Sequence, residues 1–469
     1  MNALTGQHLS RGLAPLALGV PAALLIGYFA ASPSPSILVW LAIYGGISVV
    51  ISLTLAPHIF VPTTLVVVGV STAFSSAVAS VGPAALYVSD LVVLLVVLRG
   101  VVPRARTAPR HALAGAPQAL FLLLLLVMAL AGVRAIVSGI PIASVIRGDL
   151  ALFYWPLLYF GFTRVLAEED LDKRLLWRNL ALVAVGFAMY MFVARALNHP
   201  FQDRGLALVP TGEDETVPRN FGFASAFTIY PVLALVGVAG MANAREHRFR
   251  WTLLASIGLI ATLTTLVRGE IYSLALGILL VLALSPRRGL AAGRSRTTVQ
   301  LAFAAGAAML ALLAVDPKLG QAVIQRTVPF TQQATAATEN ADYRFKAMGA
   351  GIREARAHPI GLGVLDQQAL DKHGIDSGYL AHSGFATLLI FGGWVALAAS
   401  VLVLVAIVRR SFELRSASRW LHPAFVGAIT MLSVYSLSAA GLVGDSWVVP
   451  LGALVVALRF GLHPEAVSK

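Results

Sequence analysis

The sequence predicts an all-α fold: a polytopic transmembrane bundle of about 12–14 spans with one large extracytoplasmic loop that contains a helix of its own. Three observations predict it. Of 469 residues, 58% are hydrophobic and only 12% are charged, roughly half the charge of an ordinary soluble domain. Apolar runs of about 18 residues recur from end to end, without the alternating polarity that a barrel strand requires. Lys and Arg gather in alternate short connections, as membrane orientation demands.

The expected spans are Leu13–Ala31, Ile37–Leu55, Ile59–Ala79, Leu86–Leu98, Leu120–Val137, Asp149–Leu166, Leu180–Leu197, Phe223–Ala242, Trp251–Val267, Ile271–Leu284, Val299–Val315, Gly384–Val408, Ala424–Leu442 and Trp447–Phe460. The fourth and tenth are short and need flanking residues to complete them. The first follows a short leader carrying Arg11 and reads as an uncleaved helix, because a polytopic body follows it. The chain divides into N-terminal helices (1–198), central helices with Arg motifs (199–315), an extracytoplasmic loop (316–383) and C-terminal helices (384–469).

With the N-terminus inside, 22 of the 35 Lys and Arg fall in cytoplasmic segments and 7 fall in the long loop, which its length exempts from the rule. Both termini are then expected in the cytoplasm of a bacterium, with the chain in its inner membrane. The net charge of +13 follows from these connections and does not call for nucleic acid. There are no cysteines, which excludes disulfides, thiolate metal sites and a cysteine nucleophile. No internal repeat and no inverted pair of broken spans points to a secondary transporter.

Two extracytoplasmic segments stand apart. One is Asn198–Asn220, with acids at Glu213, Asp214 and Glu215; the other is Asp316–Ser383. Inside the second, Asn340–Arg356 reads as a helix. Asn340 is its expected N-cap, Pro359 its stop, and Phe345, Met348, Ile352 and Ala355 form a stripe expected to face the bundle. Gly361 and Gly363 then make a tight turn.

Four residues carry the candidate chemistry. Arg268 lies between the ninth and tenth spans in Thr-Leu-Val-Arg-Gly-Glu. An arginine at this depth is costly unless paired or wet, and a helix N-terminus beside it makes an anion site. The same position allows a structural pair with Glu270 or a snorkelling side chain. Arg344 sits on the loop helix, in a loop whose seven basic residues face seven acids. His382 precedes the twelfth span, where the positive helix end favours the neutral imidazole that a general base needs; Ser383 reads as the N-cap. Arg219, in Val-Pro-Arg-Asn-Phe-Gly, opens the eighth span. Arg147 and Asp149 open the sixth, and Asp90, inside the fourth, needs a polar neighbour. His358, His373, Asp376 and His382 show no metal-ligand spacing, so no metal site is expected.

At these residues the chain resembles the O-antigen ligase and O-antigen polymerase superfamily of bacterial envelope glycosyltransferases. Leu266–Glu270 is similar to that family's Ser-Arg-Gly turn. Tyr343-Arg344 with Ala357-His358-Pro359-Ile360-Gly361-Leu362-Gly363 is similar to its loop helix and His-Pro-x-x-Gly-x-Gly turn. Ala381-His382-Ser383-Gly384, running into Phe391-Gly392-Gly393-Trp394, is similar to its His-Asn segment, and Pro218–Gly222 to an Arg-rich span start. The chain departs from the pattern at Val267, Glu270 and Ser383.

The resemblance implies a metal-independent transfer without cofactor, from a polyprenyl-diphosphate-linked glycan donor to a glycan or lipid-linked acceptor. Arg268, Arg344 and Arg219 would bind the diphosphate, and Arg268, Arg344 and His382 would be catalytic, with membrane lipids as surroundings. Polymerase and ligase are not separated by these motifs. The non-enzyme alternative is a transporter or flippase of a lipid-linked glycan, which calls for charges near mid-membrane.

Overall fold

The computed structural model describes residues 54–71, 79–81, 84–86, 88–101, 116–142, 144–145, 150–168, 171–196, 208–210, 216–218, 228–243, 248–285, 317–327, 334–365, 367–376, 383–412 and 421–437. The expected spans at 13–31, 299–315 and 447–460, and nearly all of 37–55, lie outside them.

Among the described residues the fold is all-α apart from two short hairpins. The helices are α1 (Pro57–Ser71), α2 (Val88–Val101), α3 (Ala116–Val137), α4 (Tyr154–Val165), α5 (Lys173–Ala196), α6 (Ile229–Asn243), α7 (Arg248–Thr264), α8 (Arg268–Leu284), α9 (Pro317–Thr327), α10 (Ala334–Ala357), α11 (Gln367–Lys372), α12 (Gly384–Ser411) and α13 (Leu421–Ser436). The antiparallel hairpins β1–β2 (Ala79–Val81, Ala84–Leu86) and β3–β4 (Leu208–Pro210, Thr216–Pro218) were not expected. The first takes in Ala79, the last residue of the expected third span, and Leu86, the first of the fourth, with Gly82-Pro83 as the sequence break between its strands.

Three helices are long and apolar enough to cross a membrane: Pro117–Val137, Lys173–Val193 and Gly384–Ser411. Many of their large apolar side chains face outward, including Leu122, Leu126 and Leu130 of α3 and Leu402 and Val405 of α12. A soluble helix hides such a face; one bathed in lipid does not need to.

Three pairs of described helices run as the expected spans require. Asp90 accepts a hydrogen bond from Tyr154 near the start of α2 and α4, and Gly100 meets Gly161 near their ends, so the two run parallel. Gly237 meets Ala255, and Gly258 meets Ala234, so α6 and α7 are antiparallel. The backbones of α8 and α13 cross at Gly277 and Gly427, where a Cβ on either glycine would sit 3.0–3.1 Å from the other's carbonyl oxygen. Cβ positions lean toward a helix's N-terminus and carbonyls toward its C-terminus, so this reciprocal contact makes the pair antiparallel. Without a hydrophobic force between helices in lipid, such small-residue contacts supply the packing.

One end of the bundle carries Arg99, buried and held by both oxygens of Glu168 at 3.1 and 2.8 Å with Phe60 beneath its guanidinium. Arg409 and Arg410 lie in the last turn of α12 and His422 in the first turn of α13; His422 Nδ1 is 2.9 Å from the Ser411 carbonyl. The opposite end carries Arg268 and the long loop.

There α12 is broken. Gly393 has φ 63° and ψ −157°, so the helix is two segments meeting at a kink. A broken helix leaves backbone groups without partners. The chain from Pro359 to Gly363 supplies them: Leu362 N–H donates to the Ile390 carbonyl (2.8 Å), Gly363 N–H to that of Phe391 (2.8 Å), and Trp394 N–H to that of Pro359 (3.0 Å). Gly361 and Gly363 take φ of 71° and 72°, and a side chain on either, or on Gly393, would collide with backbone. Arg134, in the last turn of α3, closes the junction by donating from Nη1 to the Gly361 carbonyl at 2.6 Å.

The loop helix differs from expectation at its start and on its buried face. It begins at Ala334, so Asn340 lies inside it and is not an N-cap. Its buried face is Ala347, Ala350, Gly351, Glu354 and Ala355; of the expected stripe Ala355 is buried, Met348 and Ile352 are partly buried, and Phe345 is 78% exposed. The reason is steric: Gly351 abuts the backbone of Ala386 in α12, an approach that only small residues allow. Pro359 ends the helix after Ala357 as expected. The expected sixth span begins with a 3-10 turn, Leu150–Phe153, before α4.

Gly361→Ala and Gly393→Ala should each destabilise the protein by more than about 1–3 kcal/mol, from clash and left-handed backbone together. Gly349, helical with nothing within 4 Å of its Cβ position, should gain up to about 1 kcal/mol as Ala. Thermal unfolding in detergent ranks the three.

Candidate functional site

The turn between α7 and α8 is built from buried polar groups. Thr262, Thr264 and Thr265 return their hydroxyls to the carbonyls of Gly258, Ala261 and Thr262 at 2.7–2.8 Å. These bonds satisfy hydroxyls where no solvent can. Leu266 follows with φ 59°, a conformation that L residues other than glycine seldom adopt. It is fully buried with Leu263, Ile271, Leu319 and Val323, so α9 sits as a cover on the turn and holds the strained residue in place.

Arg268 is the first residue of α8, and it is half-buried. The N-cap, Val267, has no side chain that caps the helix, so the positive end of the helix dipole and the guanidinium stand together. Glu270, also in the first turn, is fully buried. Its Oε2 lies 3.0 Å from Thr265 Oγ1, and its Oε1 has no hydrogen-bond partner among the described residues. Glu270 is therefore bonded to the turn through Thr265.

Arg344 lies on α10, half-buried, with Nε buried and lacking a hydrogen-bond partner among the described residues. Burial lowers its pKa below the ordinary value, and attraction to Tyr435 near the end of α13 opposes that. A desolvated guanidinium of this kind is stabilised by an anion. Its neighbour Tyr343 donates to Asp376 Oδ2 at 2.5 Å, which fastens α10 to the chain after α11.

Arg268 and Arg344 share one end of the bundle. Arg268 lies nine residues before the Gly277–Gly427 crossing and Ser436 nine residues after it. In antiparallel helices both are then displaced about 13 Å from the crossing in the same direction. Tyr435, one residue from that level, is a near neighbour of Arg344. Because α10 runs alongside the first segment of α12 in the same direction, Arg344 also flanks the N-terminal end of α12.

His382 and Arg219 lie outside the described residues. Their neighbours are described. Ser383 is the N-cap of α12, as expected: its Oγ accepts from Ala386 N–H at 3.2 Å, and its carbonyl accepts from Thr387. Strand β4 ends at Pro218 and contacts α9, the helix that covers the Arg268 turn. Arg147 and Asp149 are likewise outside the described residues, while Asp90 has its polar neighbour in Tyr154.

Sequence reasoning did not single out Arg134, Tyr435 or Thr265. Arg134 had a signal, an arginine within an apolar run. Tyr435 had none, because its importance comes from a helix crossing set by distant glycines. The structure also brings His358 and His373 together, but on Glu354; Asp376 bonds Tyr343 instead. Comparison with known proteins returns no matching family model and no matching curated protein.

Thr265→Val should cost about 1–3 kcal/mol by leaving the Glu270 carboxyl buried and unbonded. The cost should shrink when Glu270 is replaced by Leu in the same chain. Thermal melts of the two single variants and the double variant measure that coupling.

Proposed function

We propose that this chain is a membrane glycosyltransferase that takes a glycan from a polyprenyl-diphosphate-linked donor and attaches it to a sugar hydroxyl, at the outer face of the bacterial cytoplasmic membrane. It would belong to the polysaccharide polymerase or O-antigen ligase type, with both termini cytoplasmic. The observation that carries this reading is the placement of Arg268 and Arg344 at one end of the bundle, the first at an uncapped helix N-terminus and the second with a desolvated guanidinium. The charge asymmetry of the connections supports assigning that end to the outside.

The chemistry follows from the leaving group. As the anomeric C–O bond breaks, the bonding pair and its charge pass to the diphosphate. Arginines bind phosphate oxygens bidentately and lower the energy of that charge where it develops. Arg268 adds the dipole of α8 to its own charge, and Arg219 would assist. The acceptor oxygen attacks the anomeric carbon, and its proton goes to His382, the general base in this reading. In the sequence His382 immediately precedes Ser383, the N-cap of α12. The apolar outward faces of α3 and α12 suit a lipid tail that enters from the side.

The transporter reading fits less well. Asp90 and Glu270, the buried acids of α2 and α8, lie in the first turns of those helices and not at mid-span.

Arg268→Ala, Arg344→Ala and His382→Ala should each lower glycan transfer by about 100-fold or more while leaving the protein inserted. Arg344→Lys should lose most of the activity despite keeping the charge, since bidentate geometry is lost. A purified donor–acceptor assay reads both outcomes. A ladder of repeats as product assigns polymerase, and a single transferred chain assigns ligase; wild-type rates in all the Ala variants would dismiss the mechanism.

A further inference from the structure

Three potential ligand groups converge at the foot of the loop helix. Glu354 and His358 are one turn apart at the end of α10, and His373 comes from the turn after α11. Glu354 Oε1 lies 3.4 Å from His358 Nε2 and 3.2 Å from His373 Nδ1, and the three donor atoms lie within 4.8 Å of one another. That oxygen is buried, yet neither contact qualifies as a hydrogen bond, and it has no other hydrogen-bond partner among the described residues. Charge-assisted N–H···O bonds to a carboxylate close to about 2.7–2.9 Å. Ligands around a tetrahedral zinc ion, with metal–ligand bonds of about 2.0–2.1 Å, stand about 3.3–3.4 Å apart. The two spacings to the Glu354 oxygen match the second arrangement.

The three side chains are held on fixed backbone. His358 precedes the Pro359–Gly363 junction, and its N–H donates to the Glu354 carbonyl at 2.7 Å. His373 sits in a turn closed by bonds from His373 and Ile375 N–H to the Leu370 carbonyl, completed by Gly374 at φ 64°. Leu370 and Ile375 are buried with Ala135, Leu362 and Ile390. The site is open on one side, since His373 is exposed.

We infer that Glu354, His358 and His373 form a binding site for one divalent late first-row metal ion, zinc above all, with water completing the tetrahedron. The charge balance selects the metal. The site has a single carboxylate, and the Arg134 guanidinium stands nearby, its Nη2 3.5 Å from His358 Nδ1, so the site offers little net negative charge. A hard ion such as Ca²⁺ or Mg²⁺ needs several carboxylate oxygens, whereas zinc draws its affinity from imidazole nitrogen. The ion ties the end of α10 to the turn after α11. It acts on loop structure and takes no part in the transfer step: Glu354 is ten residues along α10 from Arg344, a distance of about 15 Å. The inference stands whether or not the chain transfers glycans.

The test uses full-length protein in detergent, purified without a histidine tag and stripped of metal. Cobalt titration should give one equivalent per chain with the strong visible absorption of tetrahedral Co²⁺. Zinc should displace it and raise the unfolding temperature. His373→Ala, a surface change that should leave the metal-free melt at the wild-type value, and His358→Ala should each weaken binding by more than about tenfold. Arg134→Gln should tighten it. Absence of a tetrahedral cobalt spectrum, or equal affinity in wild type and His373→Ala, overturns the site. If His358→Ala fails to fold, His373→Ala decides alone.

Discussion

The junction between Pro359–Gly363 and the break in α12 is the constraint on which the rest of the loop depends. A helix interrupted at Gly393 would leave bare the carbonyls of Ile390 and Phe391 and the N–H of Trp394, which apolar surroundings do not tolerate. The returning chain bonds all three, and Arg134 bonds the turn itself. Three glycines are needed because backbone meets backbone there without room for a Cβ. The result is a rigid link between three parts: the end of α3, the loop helix that carries Arg344, and the first segment of α12 that begins at Ser383. Without it, α10 would be a tethered helix whose arginine had no defined place.

The second determinant is how polar groups are satisfied at the same end of the bundle. The α7–α8 turn bonds its threonine hydroxyls internally and ties one oxygen of the buried Glu270 carboxyl to Thr265. Leu266 holds a left-handed conformation because α9 and its apolar neighbours keep it there. That turn starts α8 at Arg268 without a side-chain cap. Glycine contacts between α8 and α13 then set how far along its helix each residue lies, which brings Tyr435 to the level of Arg268 and near Arg344. The opposite end shows the contrast. Arg99 there is matched by both oxygens of Glu168 and stacked on Phe60, a closed structural pair.

Much of this was legible in the sequence. The apolar runs located α2, α3, α5, α6, α7, α8, α12 and α13 to within several residues, because helix formation is the only outcome lipid allows for such runs. Ser383 as a cap, Pro359 as a stop and Gly361 with Gly363 as a turn were legible because each rests on local chemistry. The face of α10 was not. Phe345, Met348, Ile352 and Ala355 have helical spacing, but a helix that approaches another backbone selects small residues, and apolar periodicity does not reveal that preference. The break at Gly393 was hidden inside an unbroken apolar run, since its compensating bonds come from residues about 30 positions away. The convergence of Glu354, His358 and His373 was hidden for the same reason: only the first two have a helical spacing.

The central claim is that Arg268 and Arg344 hold one and the same diphosphate. The most direct measurement is the affinity for a polyprenyl diphosphate, by native mass spectrometry or calorimetry in detergent, of wild type, Arg268→Gln, Arg344→Gln and the double variant. Two arginines on one ligand are coupled, so the double loss should differ from the sum of the single losses by about 0.5–3 kcal/mol. Independent, additive effects, or binding unchanged in the double variant, would contradict the account.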